Sequence, residues 1–150
     1  MLSDDSIKYS VEIKHVSCED AISMIKEGEN DYEQPLSQLI NIELCAEKWS
    51  RLAKFLVVKN SVELVSLLVF YENLDTKMLY ITHFVVSQKY KNRGVGKFVL
   101  RYLHDYAKTT KMSYVQLEVY SDSIAYKLYS NLNYRVIEDR NSKYLMQCDL

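Results

Sequence analysis

The chain has 150 residues, of which 48% are hydrophobic, and its formal net charge is −1. A chain of this length buries roughly two thirds or more of its unfolded surface, so we predict one compact domain over residues 1–150. The near-zero charge excludes the broad basic field typical of nucleic-acid binding, and the longest hydrophobic run, near residues 64–71, is too short to span a membrane.

The first half of the chain is predicted to contain one strand, two helices and three further strands. Alternating residues indicate the first strand, and Ser17 is placed to cap the first helix, which stops at Gly28. Short polar turns separate the last three strands, which we expect to form a meander. The predicted elements are a strand at 9–16, a helix at 19–26, a loop at 29–37, a helix at 39–49, and strands at 55–59, 63–71 and 78–87.

The second half alternates helices and strands. Its first helix has an apolar repeat of three and four, which predicts one buried face. The residues of that face are Val95, Phe98, Val99, Tyr102, Leu103, Tyr106 and Ala107. The later elements are a strand at 114–120, a helix at 122–132 and strands near 134–139 and 143–148. The resulting order, β-α-α-β-β-β-α-β-α-β-β, predicts an α/β fold of the α+β kind with a mixed sheet.

A basic turn with two of the three glycines of the chain lies between the last strand of the meander and the helix that follows. Glycine lets the backbone approach a ligand closely, and the start of a helix presents unpaired N–H groups. Gly94 and Gly96 stand among Lys91, Arg93 and Lys97. The turn is therefore predicted to bind a phosphate-bearing anion, although the same spacing also occurs in plain surface turns.

Two other phosphate-binding patterns do not fit this turn. A P-loop needs Gly-x4-Gly-Lys-Ser/Thr, but Lys91 stands where its first glycine belongs and Phe98 follows Lys97. A dinucleotide fingerprint needs a third glycine at the position of Val99. Glu118 does lie near the acidic position of that fingerprint. An NAD(P)-binding oxidoreductase therefore stays open as an alternative.

The turn resembles the acetyl-CoA-binding motif of the GNAT superfamily of N-acetyltransferases, which reads Arg/Gln-x-x-Gly-x-Gly/Ala after a hydrophobic strand. The matching residues, with Lys91 at the Arg/Gln position, are Lys91, Asn92, Arg93, Gly94, Val95 and Gly96. The resemblance implies that successive backbone amides from Lys91 to Lys97 cradle the CoA pyrophosphate. The shape of the loop then matters more than the side chain of Lys91, which adds charge but no planar fork of donors.

A second motif of the same superfamily, similar to Asn-x-x-Ala-x-x-Leu-Tyr-x-x-x-Gly-Phe, follows the strand at 114–120. The matching residues are Ala125, Leu128 and Tyr129 in register, Asp122 for the asparagine, and Asn133-Tyr134 for Gly-Phe. Asparagine tolerates the left-handed conformation that follows a helix. Asp122 is the predicted counterpart of the motif asparagine at the cofactor. Because a negative charge that points towards a polyanionic cofactor is unfavourable, Ser123 or a backbone group is the alternative for this contact.

The element order is also similar to the full GNAT domain, in which the fourth and fifth strands run parallel and splay apart around the cofactor. The resemblance thus covers nearly the whole chain. It implies that main-chain groups of Phe84, Val85 and Val86 bond the pantetheine arm like an added strand. It also implies that one of their N–H groups polarises the thioester carbonyl.

Three side chains are candidates for acid–base catalysis. The resemblance gives Tyr129 the role of protonating the departing CoA thiolate, with a buried core tyrosine as the alternative interpretation. Glu118 and His83, one on each splayed strand, are the candidate bases, and each is also explained as an ordinary strand residue. No histidine spacing in the sequence suggests a metal site.

The sequence says little about the acceptor. Carboxylates and aromatic rings in and after the loop at 29–37 are candidates for an amine-binding wall, but a solvated loop and helix face explain them as well, and we favour that interpretation. These residues are Asp31, Tyr32, Glu33, Glu43, Glu47 and Trp49.

The function that the resemblance predicts is acetyl-CoA-dependent N-acetylation, with direct transfer to a primary amine of a small molecule, an amino sugar or a peptide. A GNAT-fold module that binds acyl-CoA without catalysis is the alternative within the same fold. The three cysteines are widely spaced and the acidic start of the chain lacks an apolar signal core. We therefore expect a cytoplasmic protein without disulfides or zinc, and leave a homodimer open.

Overall fold

The computed structural model describes residues 9–31 and 40–150. Among these residues, seven strands form a mixed sheet in the order β1-β2-β3-β4-β5-β7-β6, which confirms the predicted fold class. The strands are β1 (Ser10–Lys14), β2 (Lys54–Lys59), β3 (Leu64–Asn73), β4 (Met78–Val86), β5 (Tyr114–Tyr120), β6 (Arg135–Arg140) and β7 (Lys143–Asp149). The α-helices are α1 (Cys18–Glu27), α2 (Ile42–Leu52), α3 (Val95–Thr109) and α4 (Ala125–Asn131), and 3₁₀ turns cover Glu29–Asp31 and Gln88–Tyr90.

The chain is divided into two compact units, and β3, β4 and α3 each contribute residues to both. The first unit comprises the described residues up to Phe70 together with His83–Val99. In it, β1, β2 and the start of β3 form an antiparallel meander whose register pairs Ser10 with Lys59 and Lys54 with Phe70. The start of β3 is buried at seven consecutive positions. This burial explains a hydrophobic run that does not alternate.

Helices α1 and α2 of the first unit begin at side-chain caps. Ser17 Oγ accepts a hydrogen bond from Asp20 N–H over 3.1 Å, and Asn41 Oδ1 accepts one from Leu44 N–H over 3.0 Å. Each cap satisfies an N–H group of the first helical turn. The Ser17 cap is thus confirmed, and the second helix begins after Asn41. Residues 32–39, which include most of the predicted loop at 29–37, lie outside the described residues.

The second unit comprises Tyr71–Thr82 and Leu100–Leu150. Within it, β4 and β5 run parallel, as predicted, and pair over Met78–Ile81 and Tyr114–Leu117, the first part of each strand. Strand β7 pairs antiparallel with both β5 and β6. The C-terminal strands are thus ordered β5-β7-β6, with β7 in the middle.

The two faces of β5 differ in burial. Val115, Leu117 and Val119 are buried, whereas Gln116 is half-buried and Glu118 is exposed on the other face. Directly paired residues of neighbouring strands lie on the same face of a sheet. The face that carries Glu118 therefore continues over the paired residues of β7 and β6, and on β7 it includes the buried Leu145.

The buried face of α3 differs from the prediction at one edge. The residues buried as predicted are Val95, Val99, Leu103 and Ala107. Leu100 is completely buried as well, whereas Tyr102 is 38% exposed, so the prediction for Tyr102 was wrong. Phe98 and Tyr106, also predicted on this face, are half-buried. Because the four buried residues are spaced by four, they lie along one side of the helix. Leu100 extends that buried side, whereas Tyr102 lies outside it.

Candidate functional site

The turn between β4 and α3 has a left-handed backbone at Asn92, with φ 62°, and at Gly94, with φ 78°. The Gly94 carbonyl accepts the first hydrogen bond of α3, from Phe98 N–H over 3.0 Å, so Gly94 is the N-cap of the helix. A Cβ atom placed on Gly94 would meet no atom within 4 Å. The glycine is therefore required by its backbone angle, and the space beside it is open.

The start of α3 presents a row of backbone donors. Because Gly94 is the N-cap, the N–H groups of Val95, Gly96 and Lys97 have no carbonyl of the same helix to bond. The helix is 15 residues long, so its first turn carries the positive end of a substantial dipole. Arg93 and Lys97 are exposed beside these donors. This arrangement is suited to an anion.

Lys91, at the Arg/Gln position of the motif, has a structural contact. Its Nζ donates a hydrogen bond to the Asp31 carbonyl over 2.6 Å, and the Asp31 carboxylate accepts one from Gln88 N–H over 2.7 Å. The two bonds tie the 3₁₀ turn after α1 to the glycine turn. The Arg93 guanidinium lies over the Tyr90 ring at 5.7 Å. Of the three basic side chains, Arg93 and Lys97 are therefore better placed to meet an anion.

The end of β4 has one carbonyl already engaged. Ser66 Oγ donates a hydrogen bond to the Val85 carbonyl over 2.8 Å, and both groups are buried. Successive main-chain groups of a strand point to opposite sides. The main-chain groups of Phe84 and Val86 therefore point away from the side on which Val85 meets β3.

A cavity of about 320 Å³ lies in the first unit, beside the start of the glycine turn. Its carboxylates already have partners. Glu27 accepts a hydrogen bond from Leu64 N–H over 2.7 Å, and Glu63 pairs with Lys89 Nζ at 3.0 Å. The Asp31 carboxylate holds Gln88, as described above. Glu27 therefore connects α1 with the start of β3. Glu63 and Asp31 hold the 3₁₀ turn at Gln88–Tyr90.

His83 lies on the buried face of β4. Its ring centroid is 5.0 Å from that of Trp49, and only 7% of the residue is exposed. Burial lowers its pKa to about 4, because the charged imidazolium is poorly solvated there. The imidazole is consequently neutral near pH 7 and is a weak base.

Glu118 lies on the open face of β5 within a group of four side chains that we call the Glu118 cluster: Tyr80, Glu118, Glu138 and Arg140. Arg140 Nη1 donates to Glu118 Oε2 over 3.0 Å, and Arg140 Nη2 donates to Glu138 Oε2 over 2.8 Å. Burial, and then the neighbouring Glu118 charge and hydrogen bond, raise the pKa of Tyr80, whereas Arg140 lowers it. The four groups thus interact electrostatically, and all belong to the second unit.

Tyr129 is held at the end of α4 by a Schellman motif. Tyr134 N–H donates to the Tyr129 carbonyl over 3.0 Å, and Asn133 N–H donates to the Ser130 carbonyl over 3.3 Å. Asn133 has φ 69°, so its predicted left-handed conformation is confirmed. The rings of Tyr129 and Tyr134 are 5.6 Å apart, and Tyr134 Oη lies 2.6 Å from His104 Nε2. Burial raises the pKa of Tyr129, which keeps its hydroxyl protonated.

The start of α4 is organised by Ser123. Ser123 Oγ accepts a hydrogen bond from Ala125 N–H over 3.2 Å, and Ser123 N–H donates to the Tyr120 carbonyl over 3.0 Å. The helix therefore begins at Ala125 rather than at residue 122, which was predicted. Asp122 is exposed in the turn before it, so its charge has access to solvent.

The predicted acceptor wall divides into partnered and buried residues. Glu43 pairs with Lys26 at 3.5 Å and Glu47 with Arg51 at 4.0 Å, all exposed, as in a solvated helix face. Trp49 is buried against His83, and the predicted wall residues Tyr32 and Glu33 lie outside the described residues. Within residues 9–31 and 40–150, no group of three His, Cys, Asp or Glu side chains is arranged to hold a metal ion. In the same ranges no helix is long and apolar enough to cross a membrane.

The candidate residues are divided between the two units. The first unit holds the glycine turn, the end of β4 and His83, and the second holds Glu118, Asp122 and Tyr129. Sequence reasoning missed Tyr80 and Arg140. The strand alternation of β4 was the available signal for Tyr80, whereas no local pattern connects Arg140 with a residue two strands away.

The sequence matches the model of the acetyltransferase (GNAT) family over residues 19–134. This match covers most of the chain, and both motifs lie within it, so the protein belongs to the GNAT acetyltransferase family. A comparison with curated protein sequences gives no match.

Solved structures show the same fold at low sequence identity. The PaiA N-acetyltransferase of Thermoplasma acidophilum, in complex with coenzyme A, has a TM-score of 0.75 and 15% identity, and the alignment covers 94% of this chain and 99% of that one. The ribosomal-protein-S18-alanine N-acetyltransferase of Escherichia coli has a TM-score of 0.74 and 14% identity, with 93% and 94% covered. Ard1 of Thermoplasma volcanium has a TM-score of 0.68 and 20% identity, with 93% and 97% covered.

Proposed function

We propose that the protein is an acetyl-CoA-dependent N-acetyltransferase that moves an acetyl group directly to a primary amine of a small molecule, an amino sugar or a peptide. The observation that carries the proposal is the turn capped by Gly94. There Gly94 has a left-handed backbone with no atom within 4 Å of a Cβ placed on it, and the first N–H groups of α3 have no partner within the helix. Membership of the GNAT acetyltransferase family supports the reaction class.

The glycine turn is suited to the pyrophosphate of CoA. The N–H groups of Val95, Gly96 and Lys97 would donate to the phosphate oxygens, and Arg93 with Lys97 would supply positive charge. The contact of Lys91 with Asp31 supports a role in holding the loop rather than in binding phosphate. When bound, acetyl-CoA supplies an acetyl group activated as a thioester.

The end of β4 is suited to the pantetheine arm. Because the Val85 carbonyl is already bonded to Ser66, we assign the strand-like contacts to the main chain of Phe84 and Val86. An N–H group of this pair is also the best candidate to polarise a thioester carbonyl. In this proposal Val85 supports the site through its bond to Ser66.

Glu118 is the preferred general base. Its carboxylate lies on an open sheet face and is held by the Arg140 guanidinium. His83 is a poorer candidate, because its ring is buried beside Trp49 and its pKa is about 4. A bound ammonium must lose a proton before its nitrogen can attack, and a carboxylate accepts that proton directly or through one water.

Tyr129 is the preferred general acid. Burial raises the pKa of its hydroxyl, so Tyr129 Oη holds a proton throughout the usual assay range and can give it to a departing sulfur. The Schellman motif and the Tyr134 ring support a fixed position for the side chain. A purely structural role for Tyr129 predicts a loss of stability, not of turnover, when the hydroxyl is removed.

A free-thiol release assay tests the proposal. Acetyl-CoA is supplied with a panel of primary amines, amino sugars and peptides, and the mass of each product identifies the acetylated atom. We expect CoA release to depend on at least one amine. Binding of acetyl-CoA without turnover on any acceptor would support a non-catalytic module instead. A melting temperature raised by NAD or NADP but not by acetyl-CoA would favour the oxidoreductase.

A further inference from the structure

Arg140 joins two strands that are not neighbours. It lies on β6, yet its guanidinium bonds Glu118 on β5 at 3.0 Å and Glu138 on its own strand at 2.8 Å. Strand β7 lies between β5 and β6. The side chain therefore reaches over β7 to hold a carboxylate two strands away.

The register explains how this reach is achieved. Leu145 of β7 is paired with Glu118 on one side and with Glu138 on the other. The two carboxylates and Leu145 therefore lie in one row across three strands, on the same face of the sheet. Arg140 lies two residues after Glu138 and thus on that face as well. The row places both carboxylates within reach of one guanidinium.

Stability alone does not account for this arrangement. The side chains of Arg140, Glu118 and Glu138 are 42%, 30% and 53% exposed. Ion pairs with this exposure contribute little to folding, because water screens the charges and ordering long side chains opposes them. What the pair does achieve is to fix the carboxylate of a flexible glutamate.

The Glu118 carboxylate has capacity beyond its two partners. Arg140 donates to one oxygen, and the Tyr80 hydroxyl interacts with the same carboxylate, which adds to the effect of burial in raising the pKa of Tyr80. An ionised carboxylate offers about four acceptor positions, so an amine can still bond to it while both donors stay in place.

We propose that Arg140 is a positioning residue for the acceptor step: it fixes the Glu118 carboxylate in the orientation that takes the proton from the acceptor amine. This inference rests on the proposed function, in which Glu118 is the base. Loss of the guanidinium frees the glutamate side chain to rotate. A small displacement of a catalytic group lowers the rate of the chemical step more than it weakens binding.

The first test compares Arg140→Met with Arg135→Met. Arg135 is a matched control, because it lies on the same strand and pairs with Asp149 at 2.9 Å, both more than half exposed. With the acceptor that gives turnover, Arg140→Met is expected to lower kcat about 10- to 100-fold. Its melting temperature and its KM for acetyl-CoA should stay close to those of the parent. Arg135→Met should keep the parental kcat, and Arg140→Lys should restore part of the loss.

Variants of Glu118 separate the failure of this inference from that of the proposed base. If Arg140 acts through Glu118, then Arg140→Met should add little to Glu118→Gln in the double variant. A parental kcat in Glu118→Gln alone would remove Glu118 from the mechanism and the inference with it. A large loss in Glu118→Gln but none in Arg140→Met would overturn the positioning role and leave the base in place. Equal losses in Arg140→Met and Arg135→Met would also overturn it.

A second readout needs no turnover. Because Arg140 lowers the pKa of Tyr80, Arg140→Met should raise that pKa further, and Arg135→Met should leave it unchanged. NMR titration of ¹³C-labelled tyrosine, with Tyr80→Phe to assign the signal, measures this shift. An unchanged Tyr80 pKa in Arg140→Met would mean that the guanidinium does not stay beside the cluster in solution, which would overturn the inference.

Discussion

The glycine turn of the first unit and the Glu118 cluster of the second represent two ways of building a site. The turn works through its backbone: a left-handed Gly94 and the first N–H groups of α3. The cluster works through side chains that three strands bring together. A backbone site is expected to tolerate changes of side chain, and the lysine at position 91, where the motif has Arg or Gln, is such a change. A side-chain site depends on each of its members.

Gly94→Val should have the largest effect, because it changes the backbone conformation on which the turn depends. A β-branched residue is strongly disfavoured at φ 78°, so the turn should reorganise and its N–H groups should lose their common direction. We expect calorimetric titration to detect no CoA binding, while circular dichroism shows a folded chain. Gly94→Asn is the matched control, since asparagine tolerates this backbone region and should keep part of the affinity. Parental affinity in Gly94→Val would refute the assignment of the turn.

Tyr129→Phe removes the hydroxyl of the candidate acid and keeps the ring against Tyr134. If Tyr129 is the acid, kcat should fall on the order of 10²-fold, with CoA affinity almost unchanged. Since burial raises the pKa of Tyr129, the alkaline limb of the rate profile should not report this phenol.

Tyr126→Phe is the control for this variant, because Tyr126 lies on the same helix but packs against Tyr144 at 5.5 Å. It should keep the parental kcat. A parental kcat in Tyr129→Phe would mean that the Tyr129 hydroxyl does not protonate the departing thiolate. A fall in melting temperature without a fall in kcat would indicate a structural hydrogen bond.

His83 gives a smaller effect, on stability rather than on turnover. Its folded pKa of about 4 lies below the ordinary 6.5, so the unfolded chain takes up a proton first as the pH falls. The stability from the neutral ring is therefore complete above pH 6.5 and is lost towards pH 4. This loss amounts to about 2 kcal/mol between pH 7 and pH 5.

Urea denaturation at several pH values measures that contribution. The pH dependence of the unfolding free energy should be steeper between pH 7 and pH 5 in the parent than in His83→Phe, by the amount of this loss. Identical pH dependences in the parent and His83→Phe would show that His83 does not titrate as described.

Lys91→Met should have the smallest effect. It tests whether the glycine turn binds CoA mainly through its backbone. Because Lys91 Nζ is bonded to the Asp31 carbonyl, its loss should lower CoA affinity by only a few-fold, mainly by loosening the turn. Arg93→Met and Lys97→Met should each lower CoA affinity more than Lys91→Met does. Their loss of affinity should increase as the salt concentration falls, as expected for charges that face the phosphates. A Lys91→Met variant weaker than both would assign Lys91 to the phosphates.

The sequence predicted the parts of this molecule that local patterns determine. The alternation in residues 114–120 predicted β5 with its observed bounds, and the glycines and lysines of the turn indicated where α3 begins. The left-handed Asn133 followed from the helix that ends before it. In each case the physical cause lies within a few residues of the feature.

What the sequence did not predict depends on contacts between distant residues. The bond from Arg140 to Glu118 requires the register of β7 between their strands. The contact of Lys91 with Asp31 joins residues 60 positions apart. The exposure of Tyr102 depends on which side of α3 packs inward. None of these follows from periodicity or local propensity.

The most direct test of the central claim follows the acetyl group itself. Acetyl-CoA labelled with ¹³C at the acetyl carbonyl is mixed with the protein and an amine, and NMR records the chemical form of the label. The account predicts that, with the parent protein, the thioester signal decays while an amide signal appears. With Tyr129→Phe the same change should occur much more slowly. A label that stays in the thioester with every amine, although acetyl-CoA is bound, would contradict it.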